Sequence, residues 1–191
     1  MQQKTLRLAI TGMLAAVTLL LGLTSVGIIS IPPANVTIMH IPVIIGTIIC
    51  GMKVGLTLSL IFGLTSVYKA FTATSLLVAP LLQKSPILVI VMAVGARLMI
   101  PVVTWAVYNW FHAKKHDNIG TGVAAIAGTL TNTVCYLGLM LLFYVLLGLN
   151  SAAVLGVIAG AGAVNGSLEA LAAFIICTPV AIAVKKKNIF F

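Results

Sequence analysis

The sequence predicts an all-α integral membrane protein, and three features of its composition support this fold class. Hydrophobic residues make up 61% of the 191 residues, charged residues make up only 7%, and the mean hydropathy is +1.23. A soluble domain carries about 25% charged residues, so this chain has too few polar side chains to cover a water-facing surface. The composition therefore excludes a soluble enzyme, a disordered chain and a disulfide-stapled secreted module.

The first three apolar segments are each predicted to cross the membrane, which takes about 20 helical residues. The first segment, residues 6–29, ends before Pro32 and Pro33, which stop a helix. The second, residues 36–51, is short and contains Pro42, so we expect it to be tilted or partly enclosed by protein. The third covers residues 54–70.

Three further spans follow a mixed segment, residues 71–86, which contains a lysine and two prolines. The fourth span, residues 87–111, is interrupted by Arg97 and Pro101 and ends at the only strongly polar loop. The fifth and sixth spans cover residues 120–149 and 152–184. Six spans leave little chain for a soluble domain, so we predict a single six-helix transmembrane domain over residues 1–191.

The distribution of basic residues predicts that both termini lie in the cytoplasm. With six spans, eight of the 11 Lys and Arg residues fall on the side of the termini, two fall opposite, and one lies within a span. Cytoplasmic loops carry this excess of positive charge. The net charge of +9 does not indicate nucleic-acid binding here, because the basic residues lie at the ends of apolar segments, where anionic headgroups attract them.

The sequence contains no recognisable catalytic or metal-binding set. It has no nucleophile elbow, no His-Glu-x-x-His motif, no Walker phosphate loop and no paired carboxylates. Three cysteines lie in separate apolar runs without metal-ligand spacing, and the first apolar run lacks the features of a cleavable signal sequence. These absences favour binding or transport over catalysis, with no metal site and no cofactor in this chain.

Two ionisable residues within the predicted spans are candidate binding residues, since such groups are costly in hydrocarbon. Arg97 can hold a carboxylate or phosphate in a bidentate fork, or it can be satisfied by helix-end carbonyls or by Glu169. Glu169 is a candidate counter-ion of Arg97, ligand contact or proton carrier. Asn165 lies four residues earlier on the same helix face and joins the candidate site.

Uncharged polar residues complete the candidate binding site. Asn132 and Tyr136 share one face of the fifth span, where they can bind a ligand or join helices through hydrogen bonds worth about 0.6–2 kcal/mol each. His40, close to Pro42, can hydrogen-bond a ligand or the backbone. Thr65 is a further candidate near the end of the third span that is predicted to face outwards.

Small residues allow close approach of helices in two of the spans. Gly12 and Ala16 form a small-xxx-small pair near the cytoplasmic end of the first span, and four glycines are spaced along the sixth. Such patterns permit close packing either within the bundle or against a partner protein.

The most specific stretch of the sequence is Thr37-Ile38-Met39-His40-Ile41-Pro42-Val43-Ile44-Ile45-Gly46, followed by Gly51, Gly55 and Phe62-Gly63-Leu64-Thr65-Ser66. With these residues, and over nearly its whole length, the chain resembles the S-components of energy-coupling-factor (ECF) vitamin transporters. The stretch resembles the branch that contains the pantothenate-type and pyridoxine-type S-components, and an arginine after a proline-bearing outer loop also fits this branch. The first helix departs from the family's Ala-xxx-Ala docking pattern, because Gly12 and Ala16 stand at the matching positions.

The resemblance implies a function and a set of partners. An S-component is a six-span protein of the prokaryotic plasma membrane that binds a water-soluble vitamin from outside, under the loop between its first two spans. It then associates with a transmembrane coupling subunit, here through Gly12 and Ala16, and with two cytoplasmic ATPase subunits. The ATP and magnesium would be bound by those ATPases.

Pantothenate is the preferred vitamin, because it offers one carboxylate, an amide and hydroxyls. Arg97 would clamp the carboxylate, Asn132 and Tyr136 would bind the amide and hydroxyls, and Asn35 would help to close the site. Pyridoxine is the second choice. Riboflavin and folate would favour aromatic stacking, but both tryptophans lie toward the cytoplasmic end of the fourth span.

Two other classes of protein remain as alternatives at this point. A self-contained secondary transporter or channel needs a coupling-ion site, for which Glu169 is the lone candidate, and the two halves of the sequence show no convincing inverted repeat. A membrane-embedded enzyme would need a nucleophile or metal set.

Overall fold

The structure, a computed structural model, describes the backbone of residues 2–24, 27–31 and 34–186. It describes the side chains of these residues except for residues 2–3, 28–31, 34–36, 153, 161 and 186.

The described chain is a helical bundle with one small β-hairpin. In chain order its elements are α1 (Gln2–Leu23), β1 (Ile28–Ile31), β2 (Ala34–Thr37), α2 (Ile41–Cys50), α3 (Met52–Thr72), α4 (Ala79–Lys84), α5 (Pro86–Ala113), α6 (Asp117–Leu146), α7 (Ala152–Val157), a π-helical turn (Ile158–Gly162) and α8 (Ala163–Lys186). The predicted helical membrane fold is therefore confirmed in its main features.

Five of these helices are long and apolar enough to cross a membrane. They contain the segments Lys4–Leu23, Met52–Thr72, Pro86–Ala113, Asp117–Leu146 and Ala163–Lys185. The second predicted span, residues 36–51, differs from the prediction, because its helix is only the ten residues of α2. A complete crossing at this position, and with it the six-span topology, is not confirmed by the helix lengths.

Helix α2 is enclosed by the rest of the bundle. Pro42 lies in its first turn, where a missing N–H is tolerated, and Gly51 with φ 87° ends the helix. Every residue of α2 is buried. The helix packs against α1, α3, α5 and α8, and Ile44 and Ile48 belong to the largest hydrophobic core of the described residues.

The β-hairpin was not predicted from the sequence. Strands β1 and β2 are antiparallel, with Ile28 opposite Thr37 and Ile31 opposite Ala34. Hydropathy alone predicts residues 28–29 at the end of the first helix. Their β-branched side chains, placed before two prolines, favour a strand that ends at a turn, and this local preference prevailed.

A second hydrophobic core lies where α4 and α7 pack beside the ends of α5 and α6. It contains the fully buried Leu81 of α4 and Val154 of α7. The hydroxyl of Tyr144 donates a hydrogen bond of 2.5 Å to the carbonyl oxygen of Leu77. The segment between the third and fourth predicted spans is therefore an ordered cap on this end of the bundle.

Contacts between helix ends define the opposite end of the bundle. The Arg7 guanidinium, near the start of α1, donates to the carbonyl oxygen of Cys50 at the end of α2. Lys185, near the end of α8, donates a 3.0 Å hydrogen bond to Thr121 near the start of α6 and lies 4.0 Å from the ring centre of Tyr108 near the end of α5.

Candidate functional site

Two adjoining cavities lie between the long helices and the residues that follow the hairpin. The larger has a volume of about 410 Å³ and is lined mainly by α3, α5 and α6. The smaller, of about 260 Å³, is lined mainly by α5, α6, the π-helical turn and α8. Four residues line both cavities, namely Thr37, Arg97, Asn132 and Tyr136. These cavities therefore form one candidate site with two parts.

Arg97 lies at the junction of the two cavities. Its guanidinium carbon is 4.4 Å from the ring centre of Tyr136 and 5.2 Å from that of Phe62, distances at which a cation is attracted to an aromatic ring. The hydroxyl of Ser59 donates to the Arg97 carbonyl oxygen and joins α3 to α5. Packing and aromatic contacts therefore hold this side chain in place.

The polar atoms of Arg97 are left with unused hydrogen-bonding capacity. Nε and Nη1 are buried and have no hydrogen-bond partner among the described residues. The only ion pair found in the described part of the chain joins His112 to Asp117 at 2.8 Å, so Arg97 and Glu169 do not form a close pair. A buried guanidinium without a carboxylate partner is suited to bind an anionic group.

Neutral hydrogen-bonding groups surround this cation. Asn132 and Tyr136 lie one helical turn apart on α6, and Asn132 is 8% exposed. Asn165 of α8 lines the smaller cavity. The Oδ1 atoms of Asn132 and Asn165 are both buried and have no partner among the described residues. Each is an acceptor available to an amide or a hydroxyl.

Glu169 lines the smaller cavity and contacts the hairpin. Its Oε1 atom accepts two hydrogen bonds from Thr37, at 2.8 Å from the backbone nitrogen and 2.5 Å from the hydroxyl. Glu169 is only 6% exposed. Its closest described partner is thus the end of β2, a contact that the helical spacing of the sequence does not predict.

Of the remaining predicted site residues, only Thr65 is found lining a cavity within the described part of the chain. Thr65 lines the larger cavity and donates a 2.8 Å hydrogen bond to the carbonyl oxygen of Phe62. His40 is fully buried, and neither of its ring nitrogens has a hydrogen-bond partner among the described residues. It is not among the described residues that line the two cavities. The side chain of Asn35 lies outside the described residues. Gly12 and Ala16 are exposed on α1, away from the cavities.

Sequence reasoning missed the roles of Thr37 and Phe62. Both lie in the stretch that carries the family resemblance, but neither is among the site residues predicted from the sequence. Phe62 is three residues before Thr65 on α3, and this helical spacing could have placed both side chains on the cavity face. Thr37 had no comparable signal, because the strand that positions it was not predicted.

The sequence matches the family described as "ECF transporter, substrate-specific component" over residues 6–181. The chain belongs to this family. S-components are substrate-binding subunits of membrane transporters for vitamin uptake and are not enzymes. Membership therefore favours a substrate-binding transporter subunit over the membrane-embedded enzyme that the sequence had left open.

The chain is also similar to the "Pantothenic acid transporter PanT" of Lactococcus lactis subsp. cremoris (strain MG1363). It is 34% identical to this chain over 123 residues, which is 59% of this chain and 59% of the relative. The similarity therefore spans less than two thirds of the relative's length.

Proposed function

We propose that this S-component binds pantothenate for uptake by an ECF transporter, with Arg97 clamping the vitamin's carboxylate. One observation carries the proposal: a guanidinium at the junction of two cavities has two buried nitrogen atoms without protein partners. A bidentate carboxylate would satisfy such a group without the desolvation cost of an unpaired charge. The similarity to a pantothenic acid transporter also supports this choice of vitamin.

The neutral groups match the rest of the pantothenate molecule. Its amide N–H and hydroxyls are donors, and the Oδ1 atoms of Asn132 and Asn165 are buried acceptors without partners. The Tyr136 hydroxyl can both donate and accept. In this proposal the carboxylate lies against Arg97 and the hydroxyl-bearing end extends toward Asn165.

The proposed topology has six crossings and places both termini in the cytoplasm. Contacts of Arg7 with Cys50 and of Lys185 with Thr121 support it, because they gather the start of α1 and the end of α8 at one end of the bundle. In this topology α2 returns the chain across the membrane within the protein interior, and the cavities open toward the outside.

The proposed partners are a transmembrane coupling subunit and two cytoplasmic ATPases, which would bind ATP and magnesium. Exposure of Gly12 and Ala16 on α1 supports docking at this surface, since small residues permit close approach of a partner helix.

Isothermal titration of the purified protein with pantothenate and then pyridoxine tests the substrate. We expect Arg97→Ala to weaken pantothenate binding by more than about tenfold, or 1.4 kcal/mol. Arg97→Lys should recover only part of the loss, because lysine keeps the charge but lacks the planar fork. The exposed Lys53→Ala serves as a matched control for loss of a positive charge and should bind as the wild type does.

Two results would contradict the proposal. Equal pantothenate affinity in wild type and Arg97→Ala would exclude the carboxylate clamp. Tight binding of pyridoxine with no binding of pantothenate would retain the family function and exclude pantothenate as the vitamin.

A further inference from the structure

A second cation lines the larger cavity. Lys69, near the end of α3, shares this cavity with Arg97. The only two acidic residues of the chain lie elsewhere, because Glu169 lines the smaller cavity and Asp117 pairs with His112 at the start of α6. The described wall of the larger cavity therefore carries two positive charges and no acidic side chain.

The two cations lie at different levels along α3. Four residues of this helix line the cavity with the spacing of one helical face, namely Phe62, Thr65, Ser66 and Lys69. Arg97 lies beside the ring of Phe62, at the inner end of this face. Seven helical residues rise about 10 Å, so Lys69 lies about that far beyond Phe62 toward the end of α3. In the proposed topology an anion that enters from outside meets Lys69 before Arg97.

The ammonium group of Lys69 is available to a further partner. Its side chain is partly exposed, whereas Nε and Nη1 of Arg97 are buried. Nζ donates a 3.0 Å hydrogen bond to the carbonyl oxygen of Thr24, directly after α1. A lysine ammonium has three N–H donors, and this neutral carbonyl is its only hydrogen-bond acceptor within the described ranges. The positive charge at the edge of the cavity therefore has no acidic partner.

A lysine at a membrane interface can also serve only to place its charge among water and headgroups. Lys84 of α4 fits this simpler role, because it is exposed and is not among the described residues that line either cavity. Lys69 differs in lining the cavity and in being held against the end of α1 by Thr24. This difference makes the two lysines a natural comparison.

We propose that Lys69 is a capture residue, which attracts the carboxylate of the vitamin into the larger cavity before Arg97 binds it. A charge at the edge of a cleft raises the association rate of an oppositely charged ligand and changes its dissociation much less. Lys69 then sets the rate of entry, and Arg97 sets how tightly the vitamin is held. This inference rests on the proposed function of the cavities as the pantothenate site.

Association kinetics of radiolabelled pantothenate, followed by rapid filtration of protein in nanodiscs of zwitterionic lipid, test the capture role. Lys69→Gln removes the charge but keeps a long side chain with a donor for Thr24. At about 10 mM salt, where the Debye length is about 30 Å, we expect association to slow about fivefold and dissociation to stay within about twofold. Lys69→Arg should associate as the wild type does. Lys84→Gln is the matched control for a lost charge and should also behave as the wild type.

Salt separates electrostatic capture from a structural role of Lys69. At about 1 M salt the Debye length is about 3 Å, so the association rates of Lys69→Gln and wild type should agree within about twofold. A fivefold difference that persists at this salt would show that Lys69 acts through packing or through Thr24, and it would overturn the proposal.

Other outcomes at low salt would also overturn it. Faster dissociation of Lys69→Gln with unchanged association would make Lys69 a contact of the bound vitamin. Equal association rates for Lys69→Gln, Lys84→Gln and wild type would reject the capture role and leave pantothenate as the vitamin. Absence of pantothenate binding to the wild type would reject the proposed function and the capture role with it.

Discussion

The Arg97 side chain is held by aromatic rings and not by an acidic partner. Phe62 and Tyr136 attract the guanidinium through their ring faces without neutralising its charge. An acidic partner would compete with an anionic ligand, whereas an aromatic ring leaves the charge available. The Arg97 guanidinium is therefore held in a fixed position while its charge has no acidic partner.

Substitution of Tyr136 distinguishes the contribution of the ring from that of the hydroxyl. Tyr136→Phe keeps the ring beside Arg97, and Tyr136→Leu removes it. We expect the Tyr136→Leu variant to bind pantothenate about fivefold more weakly than the Tyr136→Phe variant, which is equivalent to about 1 kcal/mol of cation–π attraction. Titration calorimetry of both variants measures the difference, and equal affinities would show that the ring does not position Arg97.

The cavity-lining residues of the long helices could be predicted from the sequence, because helical spacing shows which residues share one face of a helix. Six of the eight predicted binding residues line the cavities, namely Thr65, Arg97, Asn132, Tyr136, Asn165 and Glu169. Their roles in binding remain predictions. The partners of Glu169 could not be predicted, because Thr37 is 132 residues away along the chain. Such a long-range contact leaves no periodic signal in one sequence.

At the scale of elements, helix α1 is closely packed at Gly22, near the site, and is exposed at Gly12, nearer its start. A Cβ atom added at Gly22 would lie 2.6 Å from Oγ1 and 2.8 Å from Cβ of Thr65, which lines the larger cavity. At Gly12 a Cβ atom would have nothing within 4 Å. The same glycine-to-alanine change therefore tests two different environments in one helix.

We expect Gly22→Ala to destabilise the protein by about 1–3 kcal/mol because the added methyl group forces α1 and α3 apart. Gly12→Ala should be neutral or slightly stabilising, since alanine favours a helix by up to about 1 kcal/mol over glycine. Thermal unfolding in detergent, followed by circular dichroism, compares the two variants. An equal melting temperature for both would contradict the close packing of α1 on α3 at Gly22.

The long helices were predictable because their apolar length exceeds what any other element requires. The hairpin and α2 were not, because residues 28–50 combine β-branched strand formers, prolines and a short apolar helix within one hydrophobic run. Hydropathy alone does not show where such a run changes from strand to helix. The boundary between the hairpin and α2 depends on local strand preference and on the enclosure of α2 by helices distant in the sequence.

At the scale of the whole molecule, much of the outer surface is apolar. Leu8 and Met13 of α1 are 74% and 68% exposed, as expected where lipid or a partner helix covers the protein. Gly12 and Ala16 are small residues exposed on this surface, on the helix that is least buried among the five long ones.

Gly12→Trp places a bulky side chain on this surface and would block close approach of a partner helix. We expect it to prevent copurification with co-expressed coupling and ATPase subunits, while the pantothenate affinity stays within about twofold of wild type. Leu64→Trp, at an exposed apolar position of α3, is the matched control and should copurify normally. Copurification of Gly12→Trp at the wild-type level would reject docking at this surface without affecting the assignment of the vitamin site.

The enclosure of α2 has a consequence for biogenesis. A ten-residue helix is about 15 Å long, half of the roughly 30 Å hydrocarbon core, so α2 is too short to partition from a translocon into lipid as an independent segment. Its neighbours include α5 and α8, and α8 begins only at Ala163, far beyond α2 in the chain. The nascent chain must therefore carry α2 without its final surroundings until α8 has been inserted.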